Sequence, residues 1–192
     1  MKASIKALYR YPVKSMGGDN LDHTALTKNG IPGDRCWTVK DEERGGIKGG
    51  KRFPQLMDMH AVLEHEPDAL TLSPPVAITL PDQSHTHSTD PNVNQALSAA
   101  IGSPVSLWPL LSADQLEHYR RPPNPENFDQ MAYFRALFAR TDDEPLPDLS
   151  AFPEELFIYE SSPGTYFDAF PLLIMTTASL NAMAAATAES NF

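Results

Sequence analysis

The chain of 192 residues contains a single cysteine and lacks any long apolar run. Because Cys36 has no second cysteine to pair with, an internal disulfide is excluded and a reducing compartment is expected. No stretch approaches the roughly 20 apolar residues of a membrane-spanning helix, and the N-terminus shows no signal-peptide pattern. These absences predict a cytoplasmic protein that has no membrane partner.

Positive charge is also scarce, since 15 Lys and Arg residues stand against 25 Asp and Glu residues and the formal net charge is -10. General affinity for nucleic acid depends on clustered Lys and Arg side chains that neutralise phosphates. We therefore expect no nucleic-acid partner. An acidic protein can still bind an anion at a local site.

The chain has only 10 glycines but 18 prolines. Several of the prolines cluster at residues 122–125 and 145–147, which predicts loops there. Elsewhere, short stretches have the apolar and turn patterns of strands. Such strands are predicted at residues 2–13, 21–27, 36–40, 57–64, 69–72, 76–80, 105–108 and 172–175. Helical signals occur at residues 89–102, at 131–138 and from about 177 to 188. The sequence predicts a β-rich α+β fold.

The composition divides the chain into three parts. Residues 1–110 predict a barrel-like β domain, residues 111–160 a proline-rich and acidic linker with one helix, and residues 161–192 the beginning of an incomplete β domain. The open edges of an incomplete barrel tend to pair with another chain. We therefore predict a homodimer that covers these edges.

Four short phrases carry a resemblance to a known family. Residues 11–15 read YPVKS, residues 33–37 GDRCW, residues 51–56 KRFPQL, and residues 167–173 FDAFPLL, the last running into TTASL at 176–180. In order and spacing, the first three resemble the N-terminal β-barrel domain of the MOSC family, and the fourth resembles the opening of the MOSC domain. The resemblance implies an N-terminal barrel-like β domain followed by an incomplete MOSC β-barrel domain.

The resemblance also implies a function. MOSC-family proteins bind the molybdenum cofactor, molybdopterin with its metal, or handle its sulfur, as oxidoreductases that reduce N-hydroxylated compounds or as sulfurtransferases. Electrons reach the reductases from a separate electron-transfer protein. The reductase branch takes its metal-binding cysteine from beyond an Arg-Pro-Asn phrase, and residues 190–192 look like the start of that phrase, so the resemblance implies a truncated C-terminus.

Two hypotheses follow for the chain. In the first, it belongs to an oxidoreductase or sulfur-transfer protein that binds the cofactor. In the second, it is a catalytically silent fragment or binding module that retains part of the anion pocket. Whether the chain is an enzyme stays open at this point, and no catalytic residue is assigned.

Lys14 and Ser15 follow the first strand, where an ammonium group, a hydroxyl and backbone N–H groups suit a phosphate. Taken alone, they are equally typical of a surface lysine beside a turn. Arg35 could grip phosphate or pterin oxygens with its planar guanidinium while Asp34 orients it, the alternative being a loop ion pair. Arg52 is a weaker candidate that could instead pin a loop to the barrel.

Thr177 and Ser179 stand where a predicted strand passes into a helix. Hydroxyl and N–H groups at this helix start could receive an anion, or could simply cap the helix. The resemblance places Lys14, Ser15 and Arg35 at the cofactor, and we add Arg52, Thr177 and Ser179 as candidates.

No metal ligand is assigned. Cys36 is predicted to pack as a small buried side chain beside a tryptophan rather than to act as a reactive thiol. His85 and His87 could share one face of a strand, as a metal site requires, but without further ligand groups an exposed polar loop is the preferred interpretation.

Overall fold

Short antiparallel strands dominate the first two thirds of this computed structural model, which describes residues 3–68, 70–124, 126–148, 150, 153, 155–168 and 170–189. The strands are β1 (Tyr9–Arg10), β2 (Asp19–Asn20), β3 (Trp37–Asp41), β4 (Ile47–Lys48), β5 (His60–Leu63), β6 (Val76–Thr79), β7 (His85–His87) and β8 (Val105–Pro109). Within the described residues they form the sheets β1-β2, β4-β3-β8 and β5-β6-β7. Every neighbouring pair in these sheets is antiparallel.

Helices connect and follow these sheets. They are α1 (Val93–Ile101), α2 (Leu116–Tyr119), α3 (Gln130–Leu137), α4 (Glu155–Ile158) and α5 (Thr177–Glu189), with a 3₁₀ helix at Pro54–Asp58. The predicted β-rich α+β class is confirmed. Among the described residues, no helix has both the length and the apolar character needed to cross a membrane.

The main hydrophobic core lies between the sheets and α1. Alternation along β5 and β6 turns one face of each strand inward, as a period of two requires, whereas β3 is buried at four of its five residues. Val93, Leu97 and Ile101 recur along one face of α1 and are buried. Gly102 ends α1 with a φ of 78°, a left-handed conformation that glycine adopts without a steric penalty.

Several predicted strands are wrong in extent. The strand predicted at residues 2–13 is reduced to β1, and residues 21–27 form no regular strand. The strand at 69–72 is absent from its described residues because the Asp68 carboxylate accepts hydrogen bonds from the N–H groups of Leu70 and Thr71, which closes a turn. Ala69 lies outside the described residues. As a result β5 pairs with β6, and not with residues 69–72.

The interpretation of residues 85–87 as an exposed loop is also wrong. They form the edge strand β7, in which His87 pairs with Ala77 and His85 with Thr79. His87 approaches Glu64, with 3.0 Å between Nε2 and Oε1. No cluster of ligating side chains suited to a metal occurs among the described residues. His85, which is exposed, and His87, which is half-buried, therefore lie on an edge strand.

The connecting region from 111 to 160 contains three helices rather than the one predicted. α3 agrees with the predicted amphipathic stretch, and Asp129 caps it by accepting a hydrogen bond from the N–H of Ala132 at 2.9 Å. α2 and α4 comprise one turn each. A single turn is too short to show a periodic pattern, which is why the sequence did not reveal them.

Beyond Pro171, the residues whose burial the structure describes are exposed. The stretch at 172–175, predicted as a strand, is extended but joins no sheet in the described part of the chain. Leu173 and Ile174 are 84% and 88% exposed. α5 follows from Thr177, as predicted, and the final residues Ser190, Asn191 and Phe192 lie outside the described residues.

Leu97→Ala should lower the free energy of unfolding by about 2–5 kcal/mol, because Leu97 is completely buried and its removal leaves a cavity in the main core. Urea denaturation followed by circular dichroism measures the change. Gln95→Ala on the exposed face of α1 is the matched control and should stay within about 0.5 kcal/mol of the parent chain. Equal losses in both variants would contradict the assigned core.

The homodimer stays a prediction. If the apolar stretch at 172–175 is buried between two copies of the chain, sedimentation velocity should detect a dimer whose population rises with protein concentration. Ile174→Lys should then shift the population toward monomer, because a charge would be buried at the interface. Leu26→Lys, at another exposed apolar position, is the control and should leave the dimer intact. A monomer at all concentrations would refute the prediction.

Candidate functional site

Backbone hydrogen bonds bring the first two sequence phrases side by side. The N–H of Arg35 donates to the carbonyl of Tyr11 at 2.7 Å, and the N–H of Trp37 donates to that of Pro12 at 2.9 Å. The N–H of Lys14 donates in turn to the carbonyl of Trp37 at 2.9 Å. Lys14 and Arg35 therefore lie on two adjacent, hydrogen-bonded segments.

Two of the candidate residues have unusual backbone conformations. Ser15 has a φ of 68° and Arg35 a φ of 49°, both in the left-handed region that residues other than glycine rarely adopt. Such strain persists only where the surrounding structure enforces it, and it is concentrated at functional sites. The conformations of Ser15 and Arg35 therefore support a functional role for this part of the fold.

The third phrase reaches the same place through a glycine loop. The N–H of Gly50 donates to Ser15 Oγ at 2.9 Å. A Cβ atom at Gly49 would lie 2.7 Å from the same oxygen, which is closer than real Cβ contacts. Gly49 thus lets the loop approach the Ser15 hydroxyl, and the hydroxyl keeps its own hydrogen for another acceptor.

The fourth phrase supplies partners to both cations. Lys14 Nζ donates to the carbonyl of Tyr166 at 2.8 Å and to Asp168 Oδ1 at 2.7 Å. Arg35 Nη2 donates to the carbonyl of Pro171 at 2.9 Å, and the Arg35 guanidinium lies 4.3 Å from the ring centroid of Phe167. The first, second and fourth phrases, together with Gly49 and Gly50 just before the third, therefore meet at one place.

The neighbouring Asp34 fixes Arg35 as the sequence suggested. Its Oδ2 accepts from Nε and Nη2 of Arg35 at 2.8 and 2.6 Å, and its Oδ1 accepts from the N–H of Tyr11 at 2.8 Å. The carboxylate is nearly buried, and charge-assisted bonds of this kind hold geometry well. Arg35 is thus held in one orientation.

Each of the three candidates retains unused donors. Lys14 has three N–H groups and uses two, Arg35 Nη1 has no acceptor, and the Ser15 hydroxyl donates to nothing, within the part of the chain that the structure describes. An oxyanion needs several such donors. The free donors are an ammonium N–H, a hydroxyl and a guanidinium N–H group, which are types of donor that phosphate oxygens accept from.

A cavity of about 420 Å³ borders Arg35 on the side of Phe167. Its volume lies in the range of small-molecule sites, which are mostly apolar with a few fixed polar groups. Apolar parts of its wall come from Ile31, Pro67, Leu72, Leu110, Tyr166 and Phe167. The cation of Arg35 and an apolar cavity are thus adjacent.

Tyr166 anchors the fourth phrase to the barrel. Its side chain is completely buried in a second, smaller core with Ile47 and Tyr119. Its hydroxyl donates to the carbonyl of Pro109 at 2.7 Å, and His118 Nε2 lies 2.8 Å from the same oxygen. Because the hydroxyl hydrogen is already used, Nε2 must carry the hydrogen of this second bond.

His118 is neutral in this environment. Burial lowers its pKa, and the positive charge of Lys40 lowers the pKa further. Its ring also packs against Trp108 and, edge to face, against Tyr119. Burial likewise raises the pKa of Tyr166, which therefore stays protonated as the donor to Pro109.

Arg52 is bound elsewhere. Its Nε donates to Asp41 Oδ2 at 3.1 Å, while the N–H groups of Glu43 and Arg44 both donate to Asp41 Oδ1 at 2.9 Å. Burial alone would raise the pKa of Asp41, but these hydrogen bonds outweigh it and lower the pKa. Arg52 thus pins the turn after β3, which is the alternative considered for it. An additional cofactor role stays a prediction.

Thr177 and Ser179 are exposed at the start of α5. The oxygen that caps the helix belongs to Thr176, whose Oγ1 accepts from the N–H of Ser179 at 3.0 Å. Ser179 Oγ lies 3.0 Å from the same hydroxyl. Contacts of Thr177 or Ser179 with Lys14, Ser15 or Arg35 are absent from the described structure, so their anion role also stays a prediction.

Cys36 behaves as a buried small side chain. It is 3% exposed, and burial raises the pKa of its thiol to about 12. A protonated thiol is neither a nucleophile nor a metal ligand. The expectation that Cys36 packs in the core agrees with this environment.

Sequence reasoning missed the residues that hold the site together. Asp168 was within the fourth phrase but received no role, and His118 was one of several scattered histidines. Gly49 and Gly50 could have been recognised, since paired glycines next to basic residues often mark close backbone approach. No local pattern could reveal the contact of Tyr166 with His118, because it joins residues far apart in the chain.

The chain was compared with known proteins. Residues 2–104 match the family model described as the MOSC N-terminal beta barrel domain. The match contains Lys14, Ser15, Arg35 and Arg52. No curated protein and no solved structure matches the chain.

The lowered pKa of His118 predicts a pH-dependent stability. The unfolded chain binds a proton at His118 below about pH 6.5, whereas the folded chain does not until a lower pH, so stability falls as the pH decreases below about 6.5. Urea denaturation at about pH 7, 6 and 5 measures this fall. His118→Gln keeps an N–H donor and should reduce the slope.

His85→Gln is the control, since His85 lies exposed on β7. It should retain the pH slope of the parent chain. If His118→Gln and the parent chain show the same slope, the buried neutral histidine is the wrong explanation.

Proposed function

Because this chain belongs to the MOSC N-terminal β-barrel domain family, we propose that it binds the molybdenum cofactor through the phosphate of molybdopterin. Lys14, Ser15 and Arg35 are the residues that would hold the phosphate. The observation that carries the proposal is that all three keep unused hydrogen-bond donors where the first, second and fourth phrases meet.

The chemistry of the donor set fits a phosphate monoester. The ammonium of Lys14 offers one free N–H, Ser15 one O–H and Arg35 its free Nη1 group, and phosphate oxygens accept from all three types. Lys14 is 5% exposed, so its charge is little screened by water. The apolar cavity beside Arg35 could contain a planar part of the ligand.

The bound cofactor would supply the redox or sulfur chemistry, whereas the protein would bind and orient it. We propose that the function served is oxidoreductase activity on N-hydroxylated compounds or sulfur transfer, in the cytoplasm. Electrons would come from a separate electron-transfer protein. Lys14 and Arg35 would act by position and charge, without transferring protons.

A second candidate is a binding module that holds the cofactor but performs no chemistry. Cys36 favours it, since the only cysteine of the chain is buried and its raised thiol pKa keeps it protonated. The chain would then offer the cofactor a phosphate anchor without a thiolate for the metal.

Expression in a host that makes the cofactor tests the proposal. The purified chain should contain molybdenum and pterin in equal amounts, measured by mass spectrometry of the metal and by fluorescence of the released pterin. Lys14→Met should reduce the pterin content at least about tenfold, because a hydrogen bond to a charged group contributes about 1.5–3 kcal/mol. Lys6→Met, at an exposed lysine, is the matched control and should retain the parent content.

Lys14→Arg should partly restore binding, which distinguishes a lost anchor from a misfolded chain. Reduction of an N-hydroxylated compound with an artificial electron donor then separates the two candidates: turnover supports the oxidoreductase, and bound cofactor without turnover supports the binding module. Equal pterin content in the parent chain and Lys14→Met would refute the phosphate anchor.

A further inference from the structure

Lys14 has two acceptors that differ greatly in how firmly they are held. The carbonyl of Tyr166 is a buried partner, and the Tyr166 side chain is locked by Pro109 and His118. Asp168 is different, because its side chain is 86% exposed and reaches Nζ through one oxygen. Its second carboxylate oxygen makes no hydrogen bond within the described residues. Asp168 can therefore leave Lys14 more easily than Tyr166 can.

The Lys14 ammonium needs a negative partner. Its side chain is 6% exposed, and a buried charge without a counter-ion is costly. Asp168 supplies that charge, so the ammonium is balanced when no ligand is bound. Because Asp168 itself is exposed to water, an anion with more charge and more acceptor oxygens can take its place at Lys14.

An anion at Lys14 and the Asp168 carboxylate repel each other. Like charges repel each other more strongly the closer they lie, and two anions in contact with one ammonium group lie close together. Simultaneous close contact of both with Nζ is therefore disfavoured. Binding of one anion to Nζ therefore weakens the interaction of the other anion with Nζ.

We propose that Asp168 is a displaceable internal counter-ion of Lys14, which a phosphate dianion replaces on binding and a simple carboxylate does not. This inference rests on the proposed phosphate anchor. A phosphate dianion carries twice the charge of Asp168 and has enough oxygens for Lys14, Ser15 and Arg35 together. Binding of a free carboxylate would only replace one carboxylate by another. It is disfavoured because Asp168 is attached to the chain and therefore has a high effective concentration at Lys14.

Asp168 is thus a residue that determines specificity. Its carboxylate prevents monovalent carboxylates, which are abundant in cells, from binding to Lys14, whereas phosphate groups can displace it. Removing its charge should strengthen binding of both anions and reduce the preference for phosphate. A residue that only stabilised the fold would not change this preference.

Isothermal titration of the full chain with inorganic phosphate and, separately, with acetate tests the inference. Asp168→Asn should bind phosphate about fivefold more tightly than the parent chain, as expected for about 1 kcal/mol of released competition. Acetate should gain more than phosphate does. Asp114→Asn removes one exposed carboxylate elsewhere and is the matched control, which should bind both anions like the parent chain.

The possible results separate the two proposals. If Lys14→Met loses phosphate binding while Asp168→Asn equals the parent chain, the phosphate anchor stands and the displacement of Asp168 is wrong. Weaker phosphate binding by Asp168→Asn also overturns displacement, and Asp168 would then orient Lys14. If the parent chain and Asp168→Asn both fail to bind phosphate, the anchor and the displacement fail together. Asp168→Ser, with circular dichroism to verify folding, repeats the test with a different side chain.

Discussion

The burial of the Tyr166 side chain is the contact on which the candidate site depends. Its ring joins the second core, and its hydroxyl links Pro109 at the end of β8 to His118 in α2. The same residue presents its carbonyl to Lys14. The Tyr166 side chain therefore holds the connecting region and the barrel together beside the ammonium group of Lys14. If this ring left its pocket, Lys14 would lose its buried acceptor, and Phe167 would lose its position against Arg35.

The barrel contributes a different constraint, the strained backbone at Ser15 and Arg35. Both residues follow segments that hydrogen-bond to each other, so the strain at each is supported by the other. Left-handed conformations cost about 1–3 kcal/mol for such residues, and the surrounding structure has to compensate. Val13 and Trp37, each two residues from a strained position, belong to the main core. Stability of the core is therefore linked to the geometry of the anion donors.

The sequence predicted the class of the fold and the helices α1, α3 and α5, but not the contacts that connect the candidate site residues. α1 and α3 have clear helical periods, and β6 and β8 have strong apolar patterns, so local information sufficed. Strand pairing around residues 69–72 failed because one carboxylate, Asp68, closed a turn that alternation alone does not reveal. Lys14, Ser15 and Arg35 were identified through short phrases, whereas Asp168, Tyr166 and His118 act through contacts between distant parts of the chain. Arg52 shows what a short phrase cannot predict. The phrase contains Arg52, but the partner of its side chain, Asp41, lies outside the phrase at the end of β3.

The burial of Cys36 has a practical consequence for following the motions of the barrel. A single thiol that lies behind Trp37 and the core can react with a small labelling reagent only while the surrounding strands are separated. The rate of its modification in native buffer would therefore record how often the barrel opens. Because Cys36 is the only cysteine of the chain, the measured rate refers to this one thiol.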